Sequence, residues 1–181
     1  CVCYPGAVPV FVDADPKTWN IDVEKIQEKI TDKTKAILAV HIFGNPCDMN
    51  AINEIAQKHG LRIVEDAAEA HGAEYRGVKT GALSDIAAFS FYANKNLTTG
   101  EGGMVVTQNQ KLYERCRYFK NVCCPLDGKR EFIHKHVGFN YRMSNLHAAI
   151  GLAQVEKAYD YRDQRIKNNA FYKQRLGHVE G

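Results

Sequence analysis

The stretch KAILAVHIFGNPCDMNAINEIAQKHGLRIVED, residues 35–66, decides the architecture. Residues 35–42 are nearly continuous apolar sequence, the pattern of a parallel strand covered on both faces. Gly44-Asn45-Pro46 breaks that run. Residues 49–59 then place Ile52, Ile55 and Ala56 on one side of a helix, and Gly60 supplies its C-terminal stop. Leu61 to Val64 is a second strand, delivering Glu65 and Asp66 at its carboxyl end. Strand, helix, strand with short connections is the order that right-handed crossovers build into a parallel sheet.

The same alternation extends in both directions. Upstream, Pro9-Val10-Phe11-Val12-Asp13 reads as a short strand, and residues 21–29 space Ile21, Ile26 and the following Ile30 for a helix. Downstream, residues 74–80 are polar and loop-like, 85–91 (DIAAFSF) and 103–107 (GMVVT) read as strands, and 111–120 as a helix. From Ser144, the residues Leu146, Ala149, Ile150, Ala153 and Val155 begin one long amphipathic helix, which turns polar by Asp160 and continues as a solvated helix to Arg175. The fold class is therefore α/β, a mostly parallel sheet with helices on both faces.

Composition narrows the function classes. The chain has 181 residues, 45% hydrophobic and 25% charged, which argues against disorder, collagen-like repeats and coiled coil. Its 24 Lys and Arg against 21 Asp and Glu leave +3 with no basic block, so no nucleic-acid partner is expected. The absence of an eighteen-residue apolar run argues against a membrane span. The six cysteines are too sparse for a disulfide scaffold, and adjacent Cys123-Cys124 do not suit an ordinary bridge, so reduced thiols in a cytoplasmic protein are expected. Cys123-Cys124 with His134 and His136 lacks zinc-ligand spacing, and no metal is expected. The sequon at Asn96-Leu97-Thr98 is read as chance, and His41 and His71 as hydrogen-bonded structural histidines. Phe89 and Phe91 flank Ser90 on the opposite face of their strand and read as core.

Ligands of open α/β sheets bind at the carboxyl ends of strands, where two polar clusters stand: Asp66 to His71 and Ser90 to Gly103. The second is glycine-rich but fits neither a P-loop, because Lys95 precedes its glycines, nor the dinucleotide fingerprint, whose third glycine would fall at Val105. Lys95 alone reads either as an ordinary solvated lysine or as an amine for Schiff-base chemistry; Asp66 alone, either as a cap or as the partner of a buried cation. Together, an acid at one strand end and a lysine past the next suggest pyridoxal phosphate.

Val64-Glu65-Asp66-Ala67-Ala68-Glu69-Ala70-His71-Gly72, Ser90 through Gly103, and Gly138-Phe139-Asn140-Tyr141-Arg142-Met143 resemble the DegT/DnrJ/EryC1/StrS family of sugar aminotransferases, with Val12-Asp13 and Thr34-Lys35-Ala36-Ile37 also in place. The resemblance implies the large domain of a fold-type I pyridoxal-phosphate transferase. It implies Lys95 as the catalytic lysine that links to the cofactor and moves the proton, and Asp66 as the partner of the pyridine nitrogen. Glu69 would lie near the ring 3-hydroxyl, Ser90 would bond the phosphate, and Asn140 would reach the phosphate held by a neighbouring subunit, in a homodimer with shared sites. A dehydrase branch of the family carries His where Lys95 stands, so Lys favours amino transfer.

Within the family the likeness is to enzymes that move an amine from L-glutamate to GDP-4-keto-6-deoxymannose, for surface glycans. A 3-keto nucleotide-sugar aminotransferase and a non-catalytic remnant of the fold are the alternatives. The resemblance also implies a division in which residues 1–155 are part of the cofactor-binding large domain, lacking an N-terminal segment. Residues 156–181 would be a helix leading towards a C-terminal small domain that the chain lacks.

Overall fold

The structure is a computed structural model that describes residues 1–125 and 133–179. Two compact units are present: Cys1–Phe89 with Val105–Tyr113, and Ser90–Met104 with Glu114–Gly181.

The first unit is organised by the stretch quoted at the outset. Strand β1 (Ala36–Val40) pairs in parallel with β2 (Arg62–Asp66) from Ala36↔Arg62 to Val40↔Asp66, and β2 pairs in parallel with β5 (Ile86–Ser90). With β6 (Gly103–Val106), the sheet order is β1-β2-β5-β6. The crossover helix α2 (Met49–His59) begins where Asp48 accepts a hydrogen bond from the Ala51 amide at 3.2 Å. It ends at Gly60, whose amide returns to Ala56 and Gln57. Its inward face, Met49, Ile52, Ile55 and Ala56, packs with Ile37 and Ala39 of β1, Ile63 of β2, Cys47, and Ile26 of α1 (Val23–Ile26), a short helix continued by a 3-10 turn.

Three segments depart from the sequence expectation. Residues 9–13 form no strand: Val10 and Phe11 are exposed, and the following chain folds back so that Asp13 O accepts from Asp22 N and Ala14 bridges Ile21. Without a neighbour to complete a ladder, β-propensity alone does not make a strand. The polar residues 74–80 are not a plain loop but a hairpin of β3 (Glu74–Tyr75) and β4 (Val78–Lys79), turned by Arg76-Gly77, both at positive φ. Strand β1 is covered on one face: Ile37 and Ala39 are buried, whereas Leu38 is exposed, because α2 packs on one side only.

The second unit carries α3 (Gln110–Lys120) from Glu114 onward, then α4 (Asn145–Val155) and α5 (Ala158–Leu176). The single long helix expected from Ser144 is therefore two. Ser144 does cap α4, accepting from the His147 amide. At Lys157, however, φ −110° and ψ 11° leave the helical region, and the chain restarts with Tyr161 N donating to Lys157 O. The apolar side chains of α4, such as Leu146 and Leu152, are exposed, so its apolar residues form no buried face. No helix among the described residues is long and apolar enough to cross a membrane.

Ile52 is fully buried in the core cluster. Ile52→Ala is expected to destabilise the fold by about 2–5 kcal/mol, read as a lower urea midpoint with an unchanged slope.

Candidate active site

The carboxyl end of β2 is fixed by a buried carboxylate. Glu65 is 0% exposed and takes bonds from four donors. Its Oε2 accepts from His41 Nε2 at 3.0 Å and Gly81 N at 2.7 Å; its Oε1 accepts from Leu83 N at 3.0 Å and Ser84 Oγ at 2.8 Å. The Cys47 amide donates to His41 Nδ1 at 3.2 Å, which assigns the proton of this imidazole to Nε2, facing Glu65. Burial pushes the Glu65 carboxyl up, but the bonds from His41, Gly81, Ser84 and Leu83 outweigh it and hold the group below its ordinary value.

Asp66 inherits this fixed position. Its carbonyl accepts from His41 N, and the next amide, Ala67 N, donates to Ala88 O of β5. The side chain is half-buried; Oδ1 accepts from Ala68 N at 3.1 Å, and Oδ2 has no hydrogen-bond partner among the described residues. A half-buried carboxylate with one oxygen so placed fits a cationic ring nitrogen. That is the test a pyridine cofactor must pass on the acid side.

Three residues on, Glu69 turns back to the end of β1, where its Oε2 accepts from the Phe43 amide at 2.9 Å. Gly44 lies against it at φ +79°, and a Cβ there would stand 3.0 Å from Glu69 O, so the close approach requires glycine. His71 packs its ring on Phe89 at 5.4 Å between centroids, and both side chains, like Phe91, are half-buried.

In the second unit, Ser90 opens the segment that carries Lys95. Ser90 Oγ accepts from Tyr92 N, and Lys95 N closes a turn onto Tyr92 O; the Lys95 side chain is half-buried. This segment is pinned by Thr99, which is 2% exposed: its amide donates to Phe91 O and its hydroxyl to Glu101 O at 2.6 Å. Phe91 N in turn donates to Gly102 O. Gly102 sits at φ +143°, where a Cβ would come within 2.7 Å of Thr99 Oγ1. Asn140, exposed, forms an isolated antiparallel bridge with Asn121. Its neighbours hold the strip: Phe139 N donates to Phe119 O, Tyr141 N donates to Lys120 O, and the Phe139 and Tyr141 rings stack at 5.0 Å.

The first unit thus groups Asp66 with Glu69, and the second carries Ser90, Lys95 and Asn140. Sequence reasoning missed the role of Glu65 as anchor and of Thr99 as pin. A threonine inside a glycine-rich turn was the available signal for the latter; the four donors around Glu65 come from residues 41 to 84 and left none.

The chain matches the DegT/DnrJ/EryC1/StrS aminotransferase family over residues 1–181. It is 49% identical over 173 residues to GDP-perosamine synthase of Escherichia coli O157:H7, covering 96% of this chain and 47% of that protein. It is 40% identical over 176 residues to a UDP-N-acetyl-3-dehydro-alpha-D-glucosamine 3-aminotransferase of Acidithiobacillus ferrooxidans, covering 97% and 47%. The sugar aminotransferase CalS13 of Micromonospora echinospora superposes with a TM-score of 0.92 at 31% identity, over 99% of this chain and 51% of that one. The chain spans about half the length of the curated relatives it matches.

Because the folded pKa of Glu65 lies below its unfolded value, its bonds contribute fully above the unfolded pKa, about 4.3, and that contribution fades as pH falls through the folded value. Glu65→Gln is expected to cost about 3 kcal/mol near neutral pH and to flatten the acid limb of stability. Urea titrations at stepped pH values would show an unchanged acid limb if the network carried no such linkage.

Proposed function

This chain belongs to the DegT/DnrJ/EryC1/StrS aminotransferase family, and from that premise we propose that it is the cofactor-binding part of a pyridoxal-phosphate-dependent, cytoplasmic 4-aminotransferase. Its substrate is GDP-4-keto-6-deoxymannose and its amino donor L-glutamate. The observation that carries the cofactor is the Asp66 carboxylate, half-buried at a parallel strand end with Oδ2 lacking a partner among the described residues. The choice of a 4-keto sugar is supported by 49% identity to a GDP-perosamine synthase, against 40% to a 3-aminotransferase, which keeps 3-amination as the second reading.

The residues divide the work as follows. Asp66 holds the pyridine nitrogen and keeps it protonated; Ser90 donates its hydroxyl to the phosphate; Glu69 stands by the ring 3-hydroxyl. Lys95 Nζ would hold the cofactor covalently and, once the donor's amine has taken its place and freed it, would be the base that takes a proton from the amino-bearing carbon of the donor. When bound, pyridoxal phosphate supplies the electron sink that makes that proton removable. Asn140 reaches the phosphate held by a second copy in a homodimer. Residues 1–155 belong to the large domain, and 156–181 lead towards a small one.

Borohydride reduction with pyridoxal phosphate, followed by peptide mass spectrometry, tests the assignment. A single phosphopyridoxyl label on Lys95 is expected, and its loss in Lys95→Ala should accompany a fall in turnover of about 10²–10⁴-fold. Asp66→Ala should weaken both cofactor retention and rate. Labels scattered over surface lysines, or a Lys95→Ala variant at full rate, would sink the proposal.

A further inference from the structure

Two aromatic side chains of the first unit are held where folding alone gives no reason to hold them. Trp19 is 63% exposed at φ +62°, and Phe43 is 78% exposed at φ +51°. A bulky residue in the left-handed region is a backbone outlier, and such outliers cluster where a ligand is bound. Their rings lie 6.1 Å apart between centroids with planes inclined at 57°, an open corner rather than a stack.

The corner is built rather than incidental. Asn20, 3% exposed, ties its two loops together: Nδ2 donates to Asn45 O at 2.9 Å, and Oδ1 accepts from Ile42 N at 3.0 Å. Trp19 N donates to Asp15 O at 2.8 Å, and Phe43 N to Glu69 Oε2 at 2.9 Å. Strained aromatics are thus kept in place by a buried amide and a carboxylate, which is preorganisation.

We propose that Trp19 and Phe43 receive the apolar C–H face and the C6 methyl of the substrate's 6-deoxyhexose ring. The proposal rests on the aminotransferase reading above, which puts Glu69 beside the cofactor ring. The carbon to be aminated belongs to the hexose, so the hexose, not the nucleotide, has to come to the residue that Glu69 holds. Charge points the same way. The Glu69 carboxylate, which holds the Phe43 amide, repels a diphosphate but not a neutral C–H face. Small-ligand sites are concave and mostly apolar with a few placed polar groups, and two rings inclined at 57° form the two walls of such a corner.

Trp19 is the single tryptophan of the chain, so its fluorescence reports on the corner directly. Titration of the protein with GDP-6-deoxymannose is expected to give a saturable emission change. The response to GDP-mannose should be about 10-fold weaker, and GDP alone should give none. Phe43→Ala should weaken the response about 10- to 100-fold, while Phe43→Gly, which relieves the positive φ, should lose the response with its melting temperature held or raised. A structural role would instead lower the melting temperature. Equal responses to GDP and GDP-6-deoxymannose, or an unaltered Phe43→Ala titration, overturn the proposal. So does a blue shift that grows with protein concentration alone, since a second copy would then be covering the corner. The Lys95 label separates the two failures: label without a sugar response sinks the corner alone, and absence of both sinks the aminotransferase reading with it.

Discussion

A charge removed from water must be surrounded by donors, and Glu65 is where this fold meets that requirement. Its four bonds come from the end of β1 and from the turn at residues 81–84 that leads into β5. One carboxylate therefore sets where three consecutive parallel strands begin or end relative to one another. His41 is held from its other side by the Cys47 amide, and the Cys47 thiol, which donates to Val40 O, is pushed up to about 11 by burial. The neighbourhood is thus buried, and both oxygens of its carboxylate are hydrogen-bonded. Asp66, one residue beyond, emerges from this fixed point onto the strand end.

The pairing of rigid anchor and outward-facing acid follows from strand geometry. Successive side chains of β2 point to opposite faces, so Glu65 goes into the interior and Asp66 does not. The two acids look alike in the sequence and have opposite tasks: one is saturated with donors, the other keeps an oxygen without a partner among the described residues. The Lys95 segment uses a different device, a buried threonine hydroxyl clamped to Glu101 O, in a loop whose path passes through Gly100 and Gly102 at positive φ.

Where local chemistry decided the structure, the sequence was legible. Helix α2 runs over the expected residues because its cap, its apolar spacing and Gly60 all agree, and β2 delivers Glu65 and Asp66 as anticipated. Legibility failed where the outcome depended on partners distant in the chain. Residues 9–13 have strand composition but no ladder, and residues 74–80 look like a loop yet pair with each other across Arg76-Gly77. The break at Lys157 interrupts a helix-forming sequence without proline or glycine, so nothing local announced it. The family-bearing motifs were readable as residue types, but the anchoring by Glu65, Thr99 and Asn20 depends on hydrogen bonds across 2 to 25 positions, which periodicity does not encode.

Asn20 has a consequence of its own. The path of the two loops it joins is set by its amide, by the Glu69 carboxylate and by main-chain groups, not by the rings those loops display. Frame and face are thereby separable: the side chains at positions 19 and 43 can be exchanged without rerouting the chain beneath them. Such a surface can drift among ligands in evolution while the buried scaffold, and the acids and amides that fix it, stay unchanged.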